Sequence, residues 1–260
     1  MSVLQAILLG IIQGLSEFLP VSSSGHLVLA QGLFKIKEPM LMFDVTLHVA
    51  TLIPIFFVYR RDISDLIKKP IQKTTGLLIA ATVPAIVAAL LFGDLIESLF
   101  TLGPLLAGCF FVTGIALLYA DSVKDGHKTT KTMTYIDALI IGTAQAVAIA
   151  PGISRSGSTI TAALAVKLKK GSAAKFSFLM SIPAIAGSLA LQIKHVVADG
   201  VEANIDVLPF AFGALAALLT GYAAITAMIK LIQRSKLKGF AYYVFAVGIF
   251  TLVINIILKP

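Results

Sequence analysis

Three ionisable side chains sit where an apolar chain has least use for them. Glu17 and His26 fall in QGLSEFLPVSSSGH, Gln13 to His26, inside a run otherwise apolar from Met1 to about Leu33; Arg155 falls in QAVAIAPGISRSGS, Gln145 to Ser158. A charge at the centre of a bilayer costs about 2.5–3.5 kcal/mol or more, so such residues face a partner or a polar cavity. Beside them stand two serine-glycine turns, Ser22-Ser23-Ser24-Gly25 and Ser154-Arg155-Ser156-Gly157-Ser158-Thr159. Each lies where one short helix should stop and another begin, and the first N–H groups of an outgoing helix have no intrahelical acceptor. Such an end attracts anions, and Arg155 adds a planar fork that suits phosphate oxygens. Facing each other, the turns would cradle a phosphate between Ser22, Ser24, Gly25, Ser154, Ser156, Gly157, Thr159 and Arg155. Each group also has a plainer use. Glu17 and Arg155 could simply neutralise each other, the serines could cap helices, the glycines could let helices approach, and His26 could bond a carbonyl at the membrane interface. Their concurrence in two turns favours a site.

The elements that must position these groups follow from a repeat. Moved by 132 positions, the first stretch falls on the second without a gap: Ala6, Gly10, Gln13, Ser22, Ser24, Gly25 and Ala30 land on Ala138, Gly142, Gln145, Ser154, Ser156, Gly157 and Ala162. The chain therefore reads as a single membrane domain, 1–260, of two related halves, about 1–130 and 131–260. Each half opens with an apolar segment broken by small residues and proline. The first breaks at 20–25 and is followed by unbroken apolar helices at roughly 41–59, 75–92 and 103–120. The second runs from about 135 to 166 and is followed by helices at 172–193, 207–229 and 240–258.

Of the 260 residues, 58% are hydrophobic and 13% charged, and the mean hydropathy is +0.95; soluble domains have roughly 45–50% and about 25%. This is the composition of an integral membrane protein. A net charge of +8 would suggest nucleic acid in a soluble chain. Here the cations lie in short loops beside apolar segments, where they orient the protein, so no nucleic-acid partner is expected. Cys109, the single cysteine, lies in an apolar run and excludes a disulfide framework or a thiolate metal site. The start, MSVLQAILLG, lacks the basic region of a cleaved signal and is kept as structure.

The loop cations also fix a topology. Arg60, Arg61, Lys68, Lys69 and Lys73 follow the first span; Lys124, Lys128 and Lys131 precede the second broken segment; Lys167, Lys169, Lys170 and Lys175 follow it; Lys230, Arg234, Lys236 and Lys238 follow the fifth span. If the second broken segment crossed the membrane, one flanking cluster would be outside. As a re-entrant hairpin it leaves sixteen cations in the cytoplasm and only Lys35, Lys37, Lys194 and Lys259 outside. The positive-inside rule thus predicts an all-α inverted repeat of six spans and two re-entrant hairpins, with both termini outside. The first hairpin is inferred from the repeat. Hairpins entering from opposite faces meet near the midplane, where inverted-repeat proteins build polar sites from broken helices.

QGLSEFLPVSSSGH and PGISRSGST, Pro151 to Thr159, resemble the two signatures of the bacitracin-resistance type undecaprenyl-diphosphate phosphatases, and FDVTLHVATL at 43–52 and Arg60-Arg61 extend the resemblance over the whole chain. The resemblance implies hydrolysis of undecaprenyl diphosphate to undecaprenyl phosphate and inorganic phosphate at the outer face of the cytoplasmic membrane, which recycles the carrier for cell-wall polymers and lowers sensitivity to bacitracin. Carried over by position, Glu17 is the essential acid, His26 the essential histidine, Arg155 the phosphate-binding arginine and Ser23 a candidate nucleophile. A divalent cation, Mg²⁺ or Ca²⁺, is implied with Glu17 as ligand. Gln13 stands where many members have a first glutamate, so two carboxylates four residues apart are not available; Gln13 is the further candidate ligand. Glu17 with substrate phosphates suffices for Mg²⁺, which keeps several waters.

Such chemistry needs charge neutralisation, a nucleophile and a proton acceptor. Either Ser23 attacks with Glu17 or His26 as base, or His26 is itself phosphorylated. The acid-phosphatase-like lipid phosphatases also use a serine-arginine pair but want a histidine where this chain has Thr161. The rival from another class is a prenyl-phosphate or anion transporter, which shares the inverted-repeat architecture. Asp44 and His48, four apart, share a helix face and either reach the site or serve as a cap and an interfacial histidine. Asp137 reads as a first-turn charge at a helix start. His127 and His195 lie in loops, and Asp94, Glu97, Asp199, Glu202 and Asp206 read as solvated external acids. The expected partners are the bilayer and a polyprenyl diphosphate; the sequence leaves homo-oligomerisation open.

Overall fold

The computed structural model describes residues 1–36, 40–98, 103–198, 206–234 and 236–257. Lys37, Asp199, Glu202 and Lys259 lie outside the described residues, as do the side chains of Asp94, Glu97, Lys194 and His195. The described residues form eleven α-helices, and no strand occurs among them.

Helix α1 (Val3–Phe18) begins in a capping box, with the Ser2 hydroxyl accepting from the Gln5 N–H and the Gln5 side chain from that of Ser2. It stops at the Leu19-Pro20 step, since proline disfavours helical φ/ψ in the residue before it. Helix α2 (Ser23–Leu33) returns after that break. In the second half, α7 (Tyr135–Val147) and α8 (Arg155–Ala165) are broken at Pro151-Gly152, where Gly152 takes φ +88°. At 1.5 Å per residue, α1 and α7 reach about 24 and 20 Å, short of a hydrocarbon core about 30 Å thick.

The remaining long helices are α3 (Leu41–Val58), α5 (Lys73–Ser98), α6 (Pro104–Ser122), α9 (Lys170–Ala198), α10 (Val207–Gln233) and α11 (Lys238–Ile257). By length and composition α5, α6, α10 and α11 can each cross a membrane, and α3 with its bent continuation is a fifth candidate. That continuation is helical where the sequence pattern predicts a loop. Residues 60–68 form α4 (Arg60–Lys68), turned 86° from α3. It buries Ile63, leaves its basic residues out, and pairs Asp62 with Lys175 of α9. The hydrophobic periodicity of so short a segment was masked by its charges. Large apolar side chains such as Ile79, Leu90, Ile115, Leu219 and Ile249 are more than half exposed on the long helices; lipid is the solvent that such a surface requires. The protein is a multi-pass membrane protein.

Packing repeats with the sequence. A Cβ added to Gly10 would lie 2.2 Å from the Gly213 carbonyl oxygen, and one on Gly142 would lie 2.2 Å from that of Ala81. Both partners of the second contact are displaced by the same 132 positions from those of the first. Helix α1 thus lies parallel to α10, with Gly14 against Ala217 and Gly221, and α7 lies parallel to α5, with Tyr135 over Gly76. Helices α6 and α11 run antiparallel. The Asp121 carboxylate accepts the Leu237 and Lys238 N–H groups at one end of the pair, and Phe245 rests on Gly114 further along. The second hairpin doubles back on itself: Lys128 N–H donates to the Lys167 carbonyl at 2.9 Å and Lys169 N–H to that of Lys128 at 2.8 Å, so the chain before α7 lies beside the chain after α8.

Candidate active site

Each outgoing hairpin helix starts in the same way. Ser22 caps α2 by accepting the Gly25 N–H at 3.3 Å, and Ser154 caps α8 by accepting the Gly157 N–H at 3.0 Å. The Ser22 and Ser24 hydroxyls are 3.4 Å apart, those of Ser154 and Ser156 3.3 Å. The turns then interlock. Gly152 N–H of the second hairpin donates to Ser22 Oγ at 3.1 Å, and Ser156 Oγ donates to the Leu19 carbonyl of the first at 3.2 Å. Ser22 holds φ at +70° to do this, a conformation uncommon for a residue with a Cβ. Gly25 is the point of closest approach: a Cβ there would lie 2.8 Å from Gly152 Cα and 2.7 Å from Phe110. Thr113 of α6 fixes the second turn, donating to the Gly152 carbonyl at 2.8 Å and accepting from the Ser154 N–H at 3.0 Å.

This interlock aims two side chains at one carboxylate. Ser23 and Arg155 are the first residues of α2 and α8 and occupy equivalent positions of the repeat. The Arg155 guanidinium donates to Glu17 Oε1 and pairs with it; Ser23 Oγ donates to Glu17 Oε2 at 2.6 Å. Gln13, one turn earlier on α1, donates its amide to the same Oε2 at 3.0 Å, and His48 Nε2 stands 3.9 Å from it. Glu17 is 6% exposed and Gln13 fully buried. Buried at the meeting of two helix N-termini, the carboxylate gains from both dipoles as well as from the guanidinium.

His26 is not bonded to this cluster. Its Nδ1 lies 2.7 Å from the Ser22 carbonyl and its Nε2 2.9 Å from the Tyr243 hydroxyl. Tyr243 also stacks on the ring, and Phe110 meets it edge-on. A carbonyl only accepts, so Nδ1 carries a proton and donates to it, while Nε2 shares a hydrogen bond with the Tyr243 hydroxyl. His26 and Tyr243 close one side of a cavity of about 490 Å³ lined largely by apolar side chains of α1 and the α10–α11 region, with Lys236 among its lining residues.

Other residues singled out from the sequence take separate places. Thr159 is fully buried and donates to the Arg155 carbonyl, 2.8 Å, while its hydroxyl meets Ser177 at 2.6 Å; it braces α8 against α9, and the structure does not turn it toward the carboxylate. Gly25 and Gly157 serve the turns, Gly25 as the crossing point and Gly157 beneath the Ser154 cap. Asp137 belongs to a capping box with Thr134 and pairs with Lys128 at 2.9 Å. His127 is exposed in a loop. His48 reaches the site, while the Asp44 carboxylate is held by the Gln31 amide at 2.9 and 3.2 Å. Tyr243 and Thr113 carried no signal in the sequence, being single polar groups in apolar helices with no neighbouring motif.

For a divalent cation, the donors present are few. Among the described residues no cluster of three His, Cys, Asp or Glu could hold a metal. Glu17 is the one carboxylate, and beside it the Gln13 amide oxygen is buried without a hydrogen-bond partner. One carboxylate oxygen and one orphaned amide oxygen fit Mg²⁺ in the manner of sites that substrate phosphates and water complete.

Two half-length helix pairs that meet among membrane-length helices, and there bring a guanidinium and a hydroxyl to one buried carboxylate, define a polytopic membrane protein with a buried polar cluster where its two halves meet. The chain belongs to the family described as bacitracin resistance protein BacA, which it matches over residues 6–250. It is 46% identical over 256 residues, 98% of each chain, to the undecaprenyl-diphosphatase of Carboxydothermus hydrogenoformans. It is likewise 46% identical over 255 residues, 98% of each chain, to undecaprenyl-diphosphatase 3 of Bacillus cereus. The undecaprenyl-diphosphatase of Methanobrevibacter smithii is 40% identical over 271 residues, 96% of each chain.

Proposed function

We propose that this chain hydrolyses undecaprenyl diphosphate to undecaprenyl phosphate and inorganic phosphate, returning the carrier to cell-wall polymer synthesis and lowering bacitracin sensitivity by removing the diphosphate that the antibiotic sequesters. The relatives' name supports the hydrolytic reading over a transport one. The observation that carries it to this site is the convergence of Ser23 and Arg155, each the first residue of its helix, on the Glu17 carboxylate.

In this reading Ser23 is the nucleophile. Its hydroxyl already donates to Glu17 Oε2, the geometry of a nucleophile with its base, whereas both nitrogens of His26 are engaged elsewhere. Oγ attacks the terminal phosphorus, the bridging P–O bond breaks, and its electron pair leaves with the prenyl phosphate. Arg155 shifts from Glu17 to the phosphoryl oxygens, joined by the free N–H groups at the starts of α2 and α8. Water then attacks the phosphoserine, the P–Oγ bond breaks, and phosphate leaves. Glu17 and the Gln13 amide oxygen would hold Mg²⁺ or Ca²⁺, which supplies charge neutralisation on the diphosphate when bound. His26, one turn beyond Ser23, faces the apolar cavity with Tyr243 and meets the lipid side of the headgroup. In this reading the chain is an inverted repeat of six spans and two re-entrant hairpins, with the site at the midplane of the cytoplasmic membrane and open to its outer face. The repeated 132-residue contacts and the doubled-back second hairpin support that arrangement.

Ser23→Ala, purified in detergent with its thermal stability intact, is expected to lose phosphate release from a long-chain prenyl diphosphate by about 10³-fold or more. Wild-type-like turnover in this variant, or an acid-labile phosphohistidine in place of an acid-stable phosphoserine after quenching, refutes the serine assignment.

A further inference from the structure

The two interlocked turns are braced differently. In the second, the left-handed conformation falls on Gly152, φ +88°, and Thr113 of α6 holds both the Gly152 carbonyl and the Ser154 N–H. In the first it falls on Ser22, φ +70°, a residue with a Cβ, and such a conformation persists only where its surroundings over-determine it. The repeat supplies no second threonine: moved by 132 positions, Thr113 falls on Phe245, which rests on Gly114 and has no polar side-chain atom. Beyond the His26 N–H of its own helix, at 3.2 Å, the Ser22 carbonyl is held by the His26 ring, whose Nδ1 donates to it at 2.7 Å. That ring is itself clamped. Tyr243 of α11 shares a hydrogen bond with Nε2 at 2.9 Å and stacks on the ring with 7° between the planes, and Phe110 of α6 meets it edge-on with 5.3 Å between centroids.

We propose that Tyr243 is a positioning residue for the nucleophile: through the His26 ring it fixes the Ser22 turn, and with it the start of α2 that sets the Ser23 hydroxyl on Glu17. The inference rests on the serine reading above. The effect passes through successive bonds, from the Tyr243 hydroxyl to His26 Nε2, from Nδ1 to the Ser22 carbonyl, and along one peptide to Ser23, whose Oγ meets Glu17 Oε2 at 2.6 Å. A hydroxyl bonded beside an apolar cavity is not shared with bulk water, which strengthens the first of these links. The bracing also crosses the halves: α6 of the first holds the turn of the second hairpin, and α11 of the second holds the turn of the first. Attack on phosphorus is sensitive to such placement, since a shift of about 1 Å at a reacting group can cost about 10²-fold in rate.

The test uses the full-length protein in detergent with a long-chain prenyl diphosphate. Tyr243→Phe keeps the stacked ring and removes only the hydroxyl. It is expected to lower kcat, counted per folded molecule, about 10–100-fold with KM within about twofold of wild type. Diethyl pyrocarbonate, which acylates an accessible imidazole nitrogen, is expected to modify His26 faster in this variant than in wild type, as read by peptide mass mapping. Wild-type kcat in Tyr243→Phe overturns the proposal. A change confined to KM would make Tyr243 a wall of the substrate cavity, and a slow variant with unchanged His26 labelling would show that the hydroxyl does not act through the imidazole; either result overturns it too. Ser23→Ala separates the two inferences. If it is active the serine reading fails, whereas an inactive Ser23→Ala beside a fully active Tyr243→Phe sinks the positioning role alone.

Discussion

Removing the Glu17–Arg155 pair from one side or from both is expected to separate stability from activity. Arg155→Ala leaves Glu17, whose side chain is 4% exposed, without its counter-charge, and one-sided loss of a buried pair costs about 3–5 kcal/mol. Glu17→Gln costs less. Its amide oxygen can still accept from Arg155 in the place of Oε1 while its NH2 in the place of Oε2 donates to Ser23 Oγ, and the guanidinium left behind is 17% exposed, so the loss is that of charge-assisted hydrogen bonds, about 1.5–3 kcal/mol. Glu17→Gln combined with Arg155→Ala strands no charge, and the double variant should melt well above the sum of the single losses, a coupling of about 2–3 kcal/mol. Cys109, the only cysteine and 9% exposed, is a built-in reporter: a thiol-reactive dye labels it as the chain unfolds. At roughly 2–4 °C per kcal/mol, Arg155→Ala should lower the midpoint by about 6–20 °C. Phosphate release should fall at least about 10²-fold in all three variants, the double included. A midpoint for Arg155→Ala within about 2 °C of wild type, or a coupling below about 0.5 kcal/mol, refutes the claim that this pair ties the hairpins together.

Two further substitutions probe the frame. Gly25→Ala places a Cβ against the Gly152 backbone, 2.8 Å from Cα; overpacking of about 1–3 kcal/mol and a displaced Ser22 turn should lower the melting midpoint and phosphate release together, and a variant normal in both would show that the turns do not touch. Thr134→Ala removes the hydroxyl that accepts from the Asp137 N–H at 3.1 Å. It should cost about 1 kcal/mol in the melt while leaving turnover per folded molecule unchanged, and a loss of turnover at intact stability would contradict the remoteness of that cap from the site.

The sequence displayed the hairpins because their breaks combine proline, glycine and serine at equivalent places in two copies. It displayed Glu17 and Arg155 because charge is conspicuous in an apolar run. Which of its two polar neighbours the Ser23 hydroxyl meets was not legible. Ser23 and His26 lie three residues apart on α2, yet only the fold shows that Tyr243 and the Ser22 carbonyl draw the imidazole away while the break swings Glu17 under the hydroxyl. Gly25 is compatible in the sequence with a phosphate cradle or with close packing, and the structure shows the close packing, at a crossing point of two backbones; a glycine in a turn looks the same in either role until the opposing chain is seen. The reach of His48 depended on the packing of α3 against α1, a rotation about the helix axis that apolar periodicity leaves undetermined because nearly every face of α3 is apolar.

The parallel contact of α1 with α10 has a consequence for how the protein is made. Helix α1 has its partner surface, Gly213, Ala217 and Gly221, in α10, and the counter-charge for Glu17 lies 138 residues after it. Until Arg155 is made the carboxylate has neither guanidinium nor interlocked turn, and a lone carboxylate in hydrocarbon is strongly disfavoured. The contacts that hold α1 in place are therefore complete only once α8 and α10 have been made. Ribosome-bound chains ending before α8 are expected to leave Glu17 accessible to water-soluble reagents, and chains that extend through α10 to protect it, a late docking of the kind that long-range pairing imposes.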